Sequence, residues 1–222
     1  MIKFTDEQKF LLNKMTTFML EYNQKVNLTR ITDLGQIWEK HYIDCVFPLL
    51  LTDVLRGTSV IDVGTGAGFP GVVWEIYRPD LALTLIDSLR KRIDYLKLLK
   101  EHLGLKNNAI HARSEELALN PEYRERFGVA VSRAVAKLPA LCELSLPFVK
   151  VGGLMLAMKG MDSETEGLSP TLTALGGEIE NIINYELPAG DKRTLIIIRK
   201  KTKTPREFPR QRINIAKNPL NL

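Results

Sequence analysis

The feature that most constrains the fold is the stretch Val60-Ile61-Asp62-Val63-Gly64-Thr65-Gly66-Ala67-Gly68-Phe69-Pro70-Gly71, where a short β-type run ends in three alternate glycines and a proline placed to open a helix. Glycine at such a bend lets the backbone approach a ligand that any Cβ would obstruct. Strand, glycine loop and helix in that order belong to an open parallel sheet. The surrounding chain repeats the theme, with short apolar runs at 59–63, 81–87, 108–111, 128–132 and 153–158 alternating with helix-length segments. Strands apolar on both faces and separated by helices make a parallel sheet covered on both sides. Between the second and third runs, Ile93, Leu96, Leu99 and Leu103 recur at helical spacing and Gly104 supplies the stop.

Beyond the fifth run the alternation breaks. Two extended segments, 178–187 and 193–200, are joined by Pro188-Ala189-Gly190-Asp191-Lys192, which predicts a hairpin that adds an antiparallel pair at the sheet edge. The expected fold class is α/β, a Rossmann-like sheet of five parallel strands with a C-terminal antiparallel hairpin, preceded by N-terminal helices. The first of those helices opens on the capping box Thr5-Asp6-Glu7-Gln8, carries Phe10, Leu11, Met15, Phe18, Met19 and Tyr22 at helical spacing, and ends near Asn23. A second, capped by Thr32 or Asp33, has Ile37, Trp38, His41, Tyr42 and Cys45 on one side and runs toward Pro48. Both read as preceding the core rather than belonging to it. The chain thus divides into an N-terminal helical extension (1–50), a core (51–200) and a basic C-terminal tail (201–222).

Charge and cysteine usage bound the function. Of a net charge of +5, the segment from Arg199 to Leu222 carries eight Lys and Arg against the single acid Glu207, which suits a polyanionic partner or a tail that is merely solvated. No apolar run approaches the roughly 18 residues that span a bilayer, and acids stand where a secretory signal would be apolar, so a cytoplasmic protein without a membrane partner is expected. Cys45 and Cys142 lie far apart with no Cys or His at ligand spacing; neither a disulfide framework nor a metal site is expected.

The glycine loop alone permits two cofactors. Gly66-x-Gly68-x-x-Gly71 also satisfies the dinucleotide pattern, and Asp87, twenty-one residues after Gly66, sits where a ribose-binding acid is expected. Two features favour S-adenosylmethionine and with it a class I methyltransferase sheet. Asp62 places a carboxylate just before the loop, hostile to a pyrophosphate and welcoming to a cationic amino-acid ligand, and a doubly wound dinucleotide fold has no need of the hairpin. A glycine loop that is only a tight turn is the bland alternative. Asp87 can accept from both ribose hydroxyls or cap a helix starting at Ser88. Ser114 or Glu115 can read an adenine edge, or Ser114 with Glu116 can cap a helix. Arg133, ending the fourth strand over the transfer position, can contact an anion or base, or pair with Asp62 or Glu115.

These residues belong to a wider pattern: Asn27-Leu28-Thr29-Arg30-Ile31-Thr32, Lys40-His41-Tyr42-Ile43-Asp44, the glycine loop from Asp62 to Gly71, Asp87-Ser88 with Lys91-Arg92, Ser132-Arg133-Ala134, Lys159-Gly160, and Pro209-Arg210 with Ala216-Lys217-Asn218-Pro219-Leu220. In them the chain resembles, over nearly its full length, the glucose-inhibited division protein B family, the RsmG ribosomal RNA methyltransferases. The resemblance implies methyl transfer from S-adenosylmethionine to N7 of a guanine in the decoding-region loop of 16S ribosomal RNA, on the assembled small subunit. It places cofactor contacts on Gly64, Phe69, Ser114, Glu115 and Arg133. Joined to the reading above, the expected cofactor set is Asp62, Gly64, Gly66, Gly68, Phe69, Asp87, Ser88, Ser114, Glu115 and Arg133, with Arg133 also catalytic. Arg90, and Arg210-Gln211-Arg212-Ile213 in the tail, depart from the family's glycine-containing runs, which bears on RNA contacts more than on chemistry.

The residues are compatible with that chemistry. The Asn/Asp-Pro-Pro-aromatic loop usual for exocyclic amines is replaced by Ser132-Arg133-Ala134-Val135, and Cys142, in an apolar helical stretch, is a poor nucleophile for pyrimidine C5. Guanine N7 has an in-plane lone pair and no proton, so it needs no general base. Lys200, Lys201 and Lys203 could add phosphate contacts to the expected RNA-binding residues Arg206, Arg210, Arg212 and Lys217. A monomer is expected. A small-molecule methyltransferase and a ribosome-binding module that retains the fold are the alternatives.

Overall fold

The computed structural model describes residues 2–133, 135–161, 167–217 and 220, without the side chains of Arg212, Ala216 and Lys217. Helix α1 (Asp6–Asn23) opens on the expected capping box, the Thr5 hydroxyl accepting from the Gln8 amide and the Gln8 side chain from the Thr5 amide. The second helical run is capped by Asp33, which accepts from the Gln36 amide. It continues as α2 (Leu34–Ile37), a π-helical turn (Trp38–Ile43) and α3 (Asp44–Leu51). It runs through Pro48 instead of ending before it, so this proline withholds one donor without breaking the helix.

The core strands are β1 (Ser59–Val63), β2 (Ala82–Asp87), β3 (Asn108–His111), β4 (Phe127–Arg133), β5 (Val149–Gly160), β6 (Gly177–Glu186) and β7 (Lys192–Lys200). Between and after them lie α4 (Gly71–Tyr77), α5 (Arg90–Leu103), α6 (Ser114–Leu117), α7 (Leu138–Ser145), α8 (Leu168–Leu175) and α9 (Arg212–Lys217). Gly104 ends α5 at φ 68°, the left-handed cap read from the sequence. The sheet order is β3-β2-β1-β4-β5-β7-β6; β1 to β5 are parallel, and β7 runs antiparallel to both its neighbours. The hairpin therefore enters with its second strand inward. Leu195, Ile196, Ile197 and Ile198 of β7 are buried on both faces, whereas β6, with Glu178, Glu180 and Asn184, forms a polar edge that discourages further pairing.

Alternation along the strands splits the core. Val60, Leu85, Val131, Leu156 and Ile197 point to one face; Ile61, Ile86, Ala130, Met155 and Ile198 point to the other, under α7 and α8. The first face is where the reading of 1–50 needs correction. Leu12, Met15, Met19, Ile37, Tyr42 and Cys45 share a buried cluster with Val60, Leu85 and Val131, so the leader helices complete the core. Two contacts fix them there: the Trp74 indole donates to the Cys45 carbonyl at 2.6 Å, and Phe47 stacks on Tyr185 of the hairpin at 4.6 Å. Among the described residues no helix is long and apolar enough to cross a membrane.

Candidate active site

Alternation puts Asp62 on the leader-covered face of β1, directly beneath the glycine loop. Its Oδ2 accepts from the Thr65 hydroxyl at 2.7 Å and the Gly71 amide at 2.8 Å, closing the loop onto the first residue of α4 and occupying a helix amide that a pyrophosphate would use. Its Oδ1 has no partner among the described residues, and burial pushes the carboxyl up to about 6 against the pull of those two donors. Gly64 and Gly66 adopt φ of 72° and 61°, the left-handed region that glycine tolerates best. A Cβ at Gly64 would stand 2.5 Å from Val135, while at Gly66 the nearest atom lies 4.0 Å away, so Gly66 faces an open cleft. Gly68 backs onto Val72 and Leu96 instead. Of the expected cofactor residues, Asp62 and Gly68 thus shape the loop from behind.

Asp87, 4% exposed, ends β2 against this loop. Its Oδ2 accepts from the Gly66 amide at 3.0 Å and from Arg92 at 3.1 Å; its Oδ1 accepts from the Leu89 amide. It caps no helix at Ser88, since α5 begins at Arg90. Two adjoining cavities meet at Asp87 and Ser88. One, of about 330 Å³, runs past Ser114 and Glu115 to Ala140 and Leu144; the other, of about 370 Å³, runs past Gly66, Phe69, Arg92 and His41 to Arg133. Ser114 is the first residue of α6 rather than its cap, and its hydroxyl donates to the Leu144 carbonyl at 2.5 Å. Glu115 keeps one buried oxygen, Oε1, without a partner among the described residues. A buried carboxylate oxygen asks for a donor, and an adenine amino group is one. With a carboxylate for ribose hydroxyls at Asp87 and open backbone at Gly66, the donors and acceptors present fit S-adenosylmethionine.

At the far end, Arg133 does not pair with Asp62 or Glu115. The π turn carries the leader across the end of β4, and Arg133 Nη1 donates to the Lys40 carbonyl at 2.8 Å and to Asp44 Oδ2 at 3.2 Å, while Nη2 lies 3.2 Å from His41 Nδ1. The guanidinium also lies over the Phe69 ring, 5.1 Å from its centroid, and the His41 ring stacks on Phe69 at 4.3 Å. Burial and the Arg133 charge lower His41 to about 3, so its ring is neutral. Arg133 can only donate, so Nδ1 accepts and the ring proton sits on Nε2, 3.1 Å from the Thr29 hydroxyl. Asp44 is completed by Tyr185, whose hydroxyl donates to Oδ1 at 2.9 Å, and by Arg193 at 3.5 Å. Lys159 donates to the Ala136 carbonyl, bracing the segment after β4.

The tail also differs from expectation. Lys200 is fully buried, donating to the Leu146 carbonyl at 2.8 Å and paired with Glu125 at 3.4 Å; burial lowers it to about 8. Arg210 forks onto the fully buried Glu143 at 2.9 and 2.7 Å. Neither is a loose phosphate contact. Lys201, Lys203 and Arg206 are exposed, while the side chains of Arg212 and Lys217 lie outside the described residues. The tail then places Ile215 of α9 in the wall of the first cavity. His41, Asp44, Arg92, Tyr185, Arg193 and Ile215 were not read as site residues. His41, Asp44 and Arg92 stood within quoted motifs, but nothing local says that a leader helix crosses the sheet's edge.

A family model described as rRNA small subunit methyltransferase G matches residues 8–193. Proteins named ribosomal RNA small subunit methyltransferase G from Acetivibrio thermocellus and Oenococcus oeni are 45% and 43% identical, each over 99% of this chain and 91% and 92% of their own. The counterpart from Lactococcus lactis subsp. lactis is 39% identical over 99% of this chain and 94% of its own. Among solved structures, a Listeria monocytogenes protein described as a class I S-adenosylmethionine-dependent methyltransferase superposes with a TM-score of 0.59 at 13% identity, over 88% of this chain and 71% of that one. TehB from Haemophilus influenzae does so with a TM-score of 0.53 at 19% identity, over 83% and 67%. Those two likenesses concern the fold alone. With the family model spanning most of the chain and relatives alike from end to end, the chain belongs to the rRNA small subunit methyltransferase G family.

Proposed function

We propose that this protein, a cytoplasmic monomer, transfers the methyl group of S-adenosylmethionine to N7 of a guanine in the 16S ribosomal RNA of the small ribosomal subunit. The observation that carries the choice of atom is that the groups beside the transfer position are already engaged. His41 has one nitrogen filled by Arg133 and its proton directed at Thr29; the Asp44 carboxylate is held by Arg133, Arg193 and Tyr185. Cys45 and Cys142 are buried, and burial pushes both thiols up to about 12. A target that must lose a proton or be attacked by a thiolate is poorly served here; the N7 lone pair needs neither.

S-adenosylmethionine, when bound, supplies the electrophilic methyl group. Asp87 and Glu115 hold it through its hydroxyls and amine, Gly64 and Gly66 give it backbone to lie against, and Asp62 keeps the loop closed and offers a negative charge to its cationic end. Ser88, Ser114 and Phe69 line its cleft. Arg133, locked by three acceptors and a ring face, fixes the target base relative to the cleft, so its contribution is orientation, worth orders of magnitude when lost. In A-form RNA the N7 edge lies in a groove that side chains cannot enter, so the guanine must be unpaired or extruded. The exposed Lys201, Lys203 and Arg206 hold the strand through phosphates. The test is the modification itself: the 16S guanine of a deletion strain, read by primer extension or mass, should lack an N7 methyl group that wild-type protein restores. An unchanged signature refutes the reading.

A further inference from the structure

A third cavity, of about 380 Å³, lies on the other side of Arg133. His41 and Arg133 line both it and the cofactor cleft, so these two side chains are a partition between two spaces. A volume in this range accommodates small ligands. Its walls are mixed: Ile31 and Met158 are apolar, Asp44 is a buried acid, and Lys40, Arg133 and Arg193 are cations. Most of that charge is spoken for. Lys40 pairs with Asp191 at 3.0 Å and Arg133 with Asp44. Arg193 is different. It reaches Asp44 only at 3.5 Å and Asp191 only at 4.0 Å, donates once to the Lys192 carbonyl, and has no partner for Nη2 among the described residues.

We propose that this cavity seats the target nucleotide after it leaves the RNA stack, with the apolar walls against the base and Arg193 on its phosphodiester. This rests on the methyl-transfer reading and adds where the substrate sits. The charge pattern favours the phosphate as the partner of Arg193. Methylation at N7 leaves a positive charge on the purine, so the loosely held cation Arg193 is better placed at the backbone than at the ring.

Two kinds of variant test it on intact small subunits under single turnover. A side chain at Gly160, on the same face of β5 as Met158, points into this cavity, where a Cβ meets nothing within 4 Å among the described residues. Gly160→Phe should abolish methylation while melting temperature and S-adenosylhomocysteine affinity stay at wild-type values; full-rate methylation by the folded variant overturns the proposal. Arg193→Met should raise the subunit concentration for half-maximal rate about tenfold and reduce the salt slope of binding by about one. Arg193→Lys should restore most of both, since a point charge satisfies a phosphate. If Arg193→Met instead lowers only the saturating rate, with half-saturation and salt slope unmoved, Arg193 merely supports Asp44 and the phosphate assignment falls. Failure of the wild-type protein to methylate subunits in the same assay would refute the parent reading, an outcome distinct from either.

Discussion

Replacing Arg210 by alanine separates a structural tail from an RNA-binding one. Glu143 is fully buried in α7, and both its oxygens are held by the Arg210 side chain at 2.7 and 2.9 Å, with the Arg210 amide adding a third hydrogen bond at 2.8 Å. Removing one partner of a buried ion pair costs about 3–5 kcal/mol, because the remaining charge is stranded. A quarter of the Arg210 side chain is exposed, so water can reach the gap, and the low end of about 3 kcal/mol applies. At about 2–4 °C per kcal/mol for a chain of this size, the melting temperature should fall by roughly 6–12 °C. Adding Glu143→Gln to Arg210→Ala removes the stranded charge and should recover part of that stability. The assay is thermal unfolding of the three variants beside native protein. An unchanged melting temperature in Arg210→Ala, with weakened binding to small subunits, would show that Arg210 is the phosphate contact its place in a basic tail suggests and would refute the structural argument.

Asp87→Ala should weaken S-adenosylmethionine binding by about 1.5–3 kcal/mol, the worth of a hydrogen bond to a charged group, measured by calorimetric titration with the homocysteine analogue. Asp62, raised from 3.8 to about 6 by burial, binds its proton more tightly folded than unfolded, so its contribution favours folding at low pH and is lost as pH rises from about 4 through 6. Urea melts of cofactor-free protein across that range should show this component, and Asp62→Asn should lack it. Arg133→Ala should lower single-turnover methylation by tens to thousands of fold with the fold intact, Asp44 keeping Arg193 and Tyr185; lysine should rescue poorly, since it cannot span three acceptors. Neutralising Lys203 and Arg206 together should flatten the salt dependence of subunit binding by about one unit for each phosphate no longer engaged, with cofactor titrations unaltered.

The strands and their order of hydrophobic character were legible because parallel strands buried on both faces write their burial directly as apolar runs, and the hairpin because its turn residues stand between two such runs. The glycine loop and Asp87 were legible for a related reason: their job is local, performed within a single strand-to-helix turn. What escaped was long-range. Nothing near Arg133 in sequence indicates that Asp44, eighty-nine residues upstream, is its partner. That pairing exists because the leader packs through α1 on α4 and α5 and through α3 on α4, which carries Asp44 to the end of β4, a fact about packing rather than motifs. Composition misled at the carboxyl end for the same reason. Lys200 and Arg210 count as positive charges in a sum, yet each is used up on an acid far away along the chain, the half-buried Glu125 for Lys200 and the fully buried Glu143 for Arg210.

The position of Ile215 links the two ligands of the protein. One short helix supplies a wall of the cavity beside Ser114 and Glu115, and the chain leading to it carries the exposed Lys203 and Arg206. Any RNA binding that shifts this segment must alter the affinity for cofactor, and thermodynamic reciprocity then requires the cofactor to alter the affinity for RNA by the same factor. Methyl donor and ribosomal particle would in that case bind as a coupled pair. The spent cofactor and the methylated subunit would be coupled in the same way, the departure of one weakening the hold on the other, so turnover would be paced by a release step shared between them. Titrating the homocysteine analogue with and without subunits gives one factor, titrating subunits with and without the analogue gives the other, and a factor of one in both would show the tail to be a passive wall.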